Sequence, residues 1–324
     1  MSFVHVDQIA LPHAKELCFA GAVCKVRTNS SELVQALELL SIETSEVIGF
    51  RMWIAVDESS YEAVGDAHFR GLRHVVTASF GGSNLFIFDI LRRTVSANVS
   101  GVVARDYRFW REKLIPIALG VLGSAMGLVP VHCACLESDG DGLLIAGVSG
   151  AGKSTLSVAL AKSGFHYVSD DWTYISRRRD GIIAHGTSAP VKLLPDAITH
   201  FESLRGHNLQ TSMNGELAYE VDVVEAFSAQ VKRACEPRWL ILLERTQRVG
   251  TEFTLMPPGE ARRYVTSSIE RLPEELREAA AIREQTIDRV ASLPCWHFRY
   301  NGTPQFAAKE LREFVDHRRL EVYA

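Results

Sequence analysis

The sequence predicts an α/β fold, and three observations carry that prediction. The first is a fully apolar run, Leu143-Leu144-Ile145-Ala146, followed by a glycine-rich stretch, Gly147 to Ser154, and a helix-forming segment, Thr155 to Lys162. A strand with one wet face alternates in polarity, whereas one that is apolar throughout is buried on both faces, as in a sheet flanked by helices. The second is a short strand, Phe165 to Ser169, placed where a strand–helix–strand unit needs it. The third is composition. The chain of 324 residues is 47% hydrophobic and 23% charged, which is the balance of a globular protein and not of a disordered or fibrous one.

The elements follow in order. Ala22 to Val26 reads as a strand, and Asn29-Ser30-Ser31-Glu32 supplies the cap for a helix running to Leu40. Arg51 to Val56, His74 to Phe80 and Asn84 to Ile90 have strand character, and Arg92-Arg93 turns the last of them into Thr94 to Val99. From Tyr107 a long helix is expected to about Leu128, then a strand from Val131 to Glu137, a turn at Ser138 to Gly142, and the apolar strand. Arg177 to Gly181 reads as a hairpin turn, and Gly206 to Glu216 as a long polar connection of the kind that covers sites. A strand at Leu240 to Leu243, an amphipathic helix from Pro273 to Val290, a strand at Cys295 to Tyr300 and a helix from Pro304 to Asp316 complete the chain. The organisation expected is a smaller mixed α/β N-terminal region, 1–110, without recognisable chemistry, and a nucleotide-binding domain, 111–324.

Composition also excludes. Thirty-five Lys and Arg against thirty-nine Asp and Glu give a formal charge of −4, without the basic excess of a nucleic-acid binder. The longest oily stretch, Leu114 to Val131, is broken by Pro116, several glycines and Pro130, so it reads as a buried helix and not a membrane span. The N-terminus carries no basic region followed by an apolar one, and a cytoplasmic location is expected. Six scattered cysteines are too few for a disulfide scaffold, and Cys133-x-Cys135 lacks both zinc-finger spacing and a second ligand pair, so packing is their expected role.

Gly147-Val148-Ser149-Gly150-Ala151-Gly152-Lys153-Ser154 matches the phosphate-loop pattern G-x-x-x-x-G-K-[ST] at every position. Its glycines let successive backbone N–H groups converge on an anion, and the helix that follows adds its positive end. In such a loop Lys153 reaches the β- and γ-phosphates and the Ser154 hydroxyl holds Mg2+. Phosphoryl transfer also needs carboxylates. Asp170-Asp171, twenty-three residues after Gly147 at the end of a strand, supply two, one for the metal and one to accept a hydroxyl proton. Glu244 ends another strand, but Arg238 and Arg245 beside it point to a surface ion pair. His132 alone on an apolar strand reads as a core histidine, and Lys192 fits either a solvated strand or a substrate contact.

Taken together, His132 fifteen residues ahead of Gly147, the loop, and the Asp170-Asp171 pair resemble the catalytic domain of the HPr kinase/phosphorylase family. The stretch Val131 to Ala134 with Gly147 to Ser157 is also similar to ATP-dependent phosphoenolpyruvate carboxykinase, which shares that core. The resemblance runs from Pro130 to Thr173, with a fainter continuation through Pro190 to Leu193. It implies a P-loop core of HPr-kinase type. Gly147, Val148, Ser149, Gly150, Ala151, Gly152, Lys153, Ser154 and Thr155 would then hold ATP, and Ser154 with Asp171 would hold Mg2+. It also implies that Asp170 and Asp171 supply base and metal ligand without dividing the roles, with Lys153 and His132 completing the catalytic set; His132 would sit beside the pair, near the metal or tuning the base. Two departures limit it. Thr155 stands where the family has Glu, and the family's Arg-Gly-Leu-Gly-Ile segment is absent, with His185 to Pro190 in that region. Phosphorylase activity is therefore not implied.

The expected activity is an ATP- and Mg2+-dependent kinase that transfers the γ-phosphoryl group to a hydroxyl, foremost a Ser of a protein or peptide. Transfer to a small hydroxyl compound, or ATP sensing without transfer, are the alternatives. The expected partners are such an acceptor, with no nucleic acid and no membrane. The ring-like oligomers of the family admit a homo-oligomer.

Overall fold

The computed structural model describes residues 9–42, 48–187, 189–212, 215–267 and 276–323. It is a mixed α/β structure in which the described residues form two compact units, one within Met1–Leu128 and Leu272–Ile282, the other within Val129–Arg271 and Arg283–Ala324.

The first unit is built on β1 (His13–Phe19), β2 (Ala22–Thr28), α1 (Ser31–Glu38), β3 (Ile48–Asp57), β4 (Ala67–Leu72), β5 (Val75–Phe80), β6 (Leu85–Asp89) and β7 (Thr94–Ser100). Its seven strands lie in the order β1-β2-β3-β7-β6-β5-β4. Ser30 caps α1 as the sequence implies, its hydroxyl accepting from the Leu33 N–H at 3.3 Å. The long helix expected from Tyr107 is present and runs without a break to Met126, as α3 (Tyr107–Phe109), a π-helical turn at Trp110–Leu114 and α4 (Ile115–Met126), after the short α2 (Gly101–Arg105). Pro116 lacks an N–H, and the wider π turn just before it, where the Ile115 N–H donates to the Trp110 carbonyl, carries the helix past that gap. Phe80, Phe86, Phe109 and Trp110 pack edge to face or tilted at 5.0–6.1 Å to fill the core beneath the sheet.

The second unit holds β8 (Leu128–Val131), β9 (Ala134–Ser138), β10 (Asp141–Ala146), α5 (Lys153–Lys162), β11 (His166–Ser169), β12 (Thr173–Arg177), β13 (Ile182–His185), β14 (Val191–Leu193), β15 (Gln210–Thr211), β16 (Leu217–Val221), α6 (Val223–Phe227), β17 (Ala234–Arg245), β18 (Thr251–Leu255), α7 (Pro258–Ser267), β19 (Cys295–Tyr300) and α9 (Pro304–Tyr323), together with the part of α8 (Arg277–Ala291) from Arg283 onward. Nine strands form one mixed sheet, in which β10, β17 and β19 run parallel and side by side. Leu143 and Ile145 of β10 join Ile241, Leu243, Leu156, Leu160 and Leu311 on one face; Leu144 and Ala146 join Leu240, Val265 and Ile287 on the other. Burial on both faces is why β10 carries no polar alternation.

Two expectations are corrected here. The strand expected over Val131 to Glu137 is two, because the chain bends at His132 and Cys133, where the Cys133 N–H donates to the Val131 carbonyl at 2.9 Å. β8 then lies at one edge of the sheet and β9 beside β10. The polar connection at 206–216 is not an open loop over its described part, since Gln210 and Thr211 pair with Ala218 and Leu217. Residues 213 and 214, Ser188 and the first residues of the helix expected at Pro273 lie outside the described residues. Among the described residues no helix is long and apolar enough to cross a membrane.

Candidate active site

The glycine-rich segment turns from the end of β10 into α5, at the carboxyl edge of the three parallel strands where open α/β sheets place their ligands. Gly150 (φ +78°) and Gly152 (φ +94°) adopt the left-handed backbone that glycine takes without strain. Gly147 passes so close to β17 that a Cβ on it would lie 2.8 Å from the Leu243 carbonyl oxygen. Val148 and Ser149 are exposed at the tip, and Ala151 is buried beneath it. Lys153 is only 8% exposed, and its ammonium donates to the Gly147 carbonyl at 3.0 Å. That bond uses one of three N–H donors of a buried cation, which leaves it suited to an anion held over the loop. The Thr155 hydroxyl donates to the Gly152 carbonyl at 2.9 Å, so in this structure it caps the loop. The Tyr300 hydroxyl donates to the Ala151 carbonyl at 3.2 Å and braces it from below.

Asp170 and Asp171 follow β11 directly and have opposite environments. Asp170 is 7% exposed; its Oδ2 accepts from the Lys192 N–H at 3.3 Å, and its Oδ1 is buried without a hydrogen-bond partner. Burial, joined by the charge of Asp171, raises its pKa to about 7 against the lowering effects of Ser154, Lys192 and Lys153. Asp171 has a side chain 61% exposed and accepts from His132 Nε2 at 2.8 Å. Its partial burial opposes ionisation, but the His132 hydrogen bond and the charges of His132, Lys153 and Lys192 outweigh that and hold its carboxyl below the usual range. The break between β8 and β9 is what turns the His132 ring out to meet Asp171.

Loop, carboxylate pair and His132 are thus brought together, and Ser154 is near enough to Asp170 to favour its ionised form. The oxygens of Ser154 and Asp171 are hard donors, which suit Mg2+ completed by phosphate oxygens and water, and the buried Asp170 Oδ1 beside them is without a partner. Among the described residues no group of three or more His, Cys, Asp or Glu side chains is set to hold a metal by itself. The Cys133-x-Cys135 thiols are buried and free, and burial pushes Cys133 up to about 12.

Three features have no counterpart in the sequence reading. Trp172, 40% exposed, stacks on the His132 ring at 5.3 Å and 30°. Thr173 donates to the Cys133 carbonyl at 2.8 Å and bonds Ser169 at 2.6 Å, tying the strand that carries the carboxylates to the bend that carries His132. Gly186 lies so close to the Val168 carbonyl that any side chain there would displace it. Lys192, left open by the sequence, is half-buried with Nζ 3.7 Å from Glu220, and the His185 ring bonds the Ser176 hydroxyl at 2.8 Å. Glu244 does form ion pairs, but with His297 at 2.6 Å and Arg299 at 3.3 Å, not with Arg238 or Arg245. Its cross-strand neighbour in β19 is Arg299, and adjacent residues of a strand face opposite ways.

The glycine-rich turn and the acidic pair thus lie together at one edge of an α/β sheet. A curated HPr kinase/phosphorylase from Lachnoclostridium phytofermentans is 36% identical over 78 residues, 24% of this chain and 23% of that protein. The likeness to the HPr kinase/phosphorylase-like family read from the sequence is therefore present, over about a quarter of the relative's length. The HPr(Ser) kinase/phosphatase from Coxiella burnetii aligns in structure over 60% of this chain and 99% of its own, at a TM-score of 0.34 and 16% identity. No family model matches the chain.

Proposed function

We propose that the chain is an ATP- and Mg2+-dependent kinase that phosphorylates a hydroxyl, the acceptor being a Ser of a protein or peptide. The acceptor class rests on the likeness to HPr kinase/phosphorylase. The observation that carries the reading is the division of the acidic pair beside the glycine-rich loop: Asp170 is buried with Oδ1 unpartnered, which raises its carboxyl to about 7, while Asp171 is exposed and held ionised by His132 Nε2 at 2.8 Å. A general base is most effective when its pKa lies near the working pH, and a metal ligand must be ionised.

In this mechanism the loop N–H groups and Lys153 hold the phosphates. Ser154 and Asp171 would hold Mg2+, whose charge would offset that of the phosphate oxygens. His132 donates to Asp171 and keeps it ionised, and Trp172 fixes the plane of the imidazole. Asp170 Oδ1 takes the proton of the acceptor hydroxyl as its oxygen bonds to the γ-phosphorus and the bond to the bridging oxygen of ADP breaks. Positioning and electrostatics supply most of the acceleration.

The test follows label from γ-labelled ATP into fractionated extract of the source organism, with Lys153→Ala as control. Asp170→Asn is expected to lower transfer at least about a hundredfold, the usual worth of a positioned base, while ATP still binds. Asp171→Asn is expected to demand more Mg2+. Because a base works only when ionised, kcat/KM of the unaltered enzyme should rise with pH through about 7. Undiminished transfer by Asp170→Asn would remove the base assignment, and label in the small-molecule fraction alone would remove the protein acceptor.

A further inference from the structure

Arg245 ends β17 at the edge that carries the phosphate loop. Facing away from Glu244, its guanidinium lies over the Tyr300 ring with its carbon 5.5 Å from the centroid, and its Nε donates to Tyr300 Oη at 3.0 Å. Tyr300 is fully buried and donates in turn to the Ala151 carbonyl at 3.2 Å. A Cβ on Gly152 would come within 2.7 Å of Tyr300 Oη and 3.6 Å of Arg245 Nε. The guanidinium is therefore fixed against the loop, beside the residue that precedes Lys153. Its bond to Tyr300 uses one N–H, no carboxylate among the described residues pairs with it, and its terminal nitrogens remain for another acceptor.

We propose that Arg245 is a second cation of the phosphate site, donating to an oxygen of the nucleotide's di- or triphosphate chain, with Tyr300 as the positioning residue that holds it. The inference rests on the nucleotide-binding reading above. A guanidinium presents paired donors that match phosphate oxygens, and one already stacked on a buried ring has little freedom left to lose on binding. Lys153 approaches the anion from the loop, and Arg245 adds charge from the neighbouring strand.

The test is calorimetric titration of the full chain with Mg-ATP, Mg-ADP, AMP and inorganic tripolyphosphate. The variants are Arg245→Ala, Arg245→Lys, Tyr300→Phe and Lys153→Ala, each compared with the unaltered chain by circular dichroism and melting temperature. Arg245→Ala should weaken ATP, ADP and tripolyphosphate by about tenfold, the worth of one charge-assisted hydrogen bond, and leave AMP unchanged. Arg245→Lys should recover part of the loss because it keeps the charge without the fork. Tyr300→Phe should show an intermediate loss with the same order of ligands and little further loss when added to Arg245→Ala, whereas a tyrosine that only braced the loop would give losses that add. Unchanged ATP affinity in Arg245→Ala overturns the proposal. So does a loss for ATP with tripolyphosphate unaffected, since that places the guanidinium on the base. If the unaltered chain binds no nucleotide, or Lys153→Ala binds as tightly, the nucleotide-binding reading fails and takes the proposal with it.

Discussion

The two glycines of the loop with left-handed backbone do different work, and a methyl group separates them. At Gly150 a Cβ would meet open space, so Gly150→Ala introduces backbone strain alone. At Gly152 the same strain is joined by contact with Tyr300 Oη at 2.7 Å. Gly152→Ala is expected to lower stability by about 1–3 kcal/mol, the range for a residue forced into such a conformation, and to cost more than Gly150→Ala. Urea denaturation of the two variants checks this, and equal losses would mean that Tyr300 does not brace the loop. The loop was legible because a left-handed turn between strand and helix favours glycine at fixed positions. Tyr300 and Arg245 were not, since they reach the loop from strands more than ninety residues along the chain and carry no local pattern. Trp172 was hidden for a related reason: its meaning depends on where His132 turns, and the turn was not foreseen.

Among the elements, the hairpin of β9 and β10 carries the loop and is held by a buried carboxylate. Glu137 lies at 2.7 Å from Lys232 and 2.9 Å from His166, and accepts from the Gly140 N–H at the turn. Burial opposes its ionisation, but the hydrogen bonds from Lys232 and Gly140 and the charges of Lys232 and His166 prevail and hold its carboxyl below the usual range. A depressed carboxylate gives stability that is present above its unfolded value, near 4.3, and is lost as pH falls through the lower folded value. Urea midpoints measured from neutral pH down to about pH 3 should therefore fall below about pH 4.5, and less steeply in Glu137→Gln. That variant should also lose about 1–3 kcal/mol at pH 7, because partners of the carboxylate are left unpaired. Identical acid slopes in both proteins would show that Glu137 is not what holds the hairpin. Strands such as β10 could be read from apolarity alone. β4 could not, since all six of its residues are exposed and an edge strand buries too little to imprint a pattern. The bend at His132 escaped because Val131 to Glu137 is β-forming throughout, and its two halves are separated only by the strands they join.

Over the whole molecule, the proposed chemistry is confined to the second unit: loop, acidic pair, His132, Arg245 and Tyr300 all lie within Val129–Arg271 and Arg283–Ala324. A ligand that binds only the folded form stabilises it by RT ln(1 + [L]/Kd), which is about 2.7 kcal/mol at a hundredfold excess over Kd. For a unit of this size that corresponds to an increase in melting temperature of roughly 5–10 °C. Mg-ATP is therefore expected to raise the unfolding temperature of the second unit by that amount, and to leave Lys153→Ala unmoved. Amide hydrogen exchange gives the spatial half of the same prediction. Slowing should concentrate in residues 147–156, 168–173 and 243–246, where backbone N–H groups meet phosphate or the strands that support it. The seven-stranded sheet, which holds none of the proposed ligands, should keep its exchange rates. A shift of equal size in Lys153→Ala, or slowing spread evenly over both units, would mean that the nucleotide acts on the chain somewhere other than the phosphate loop.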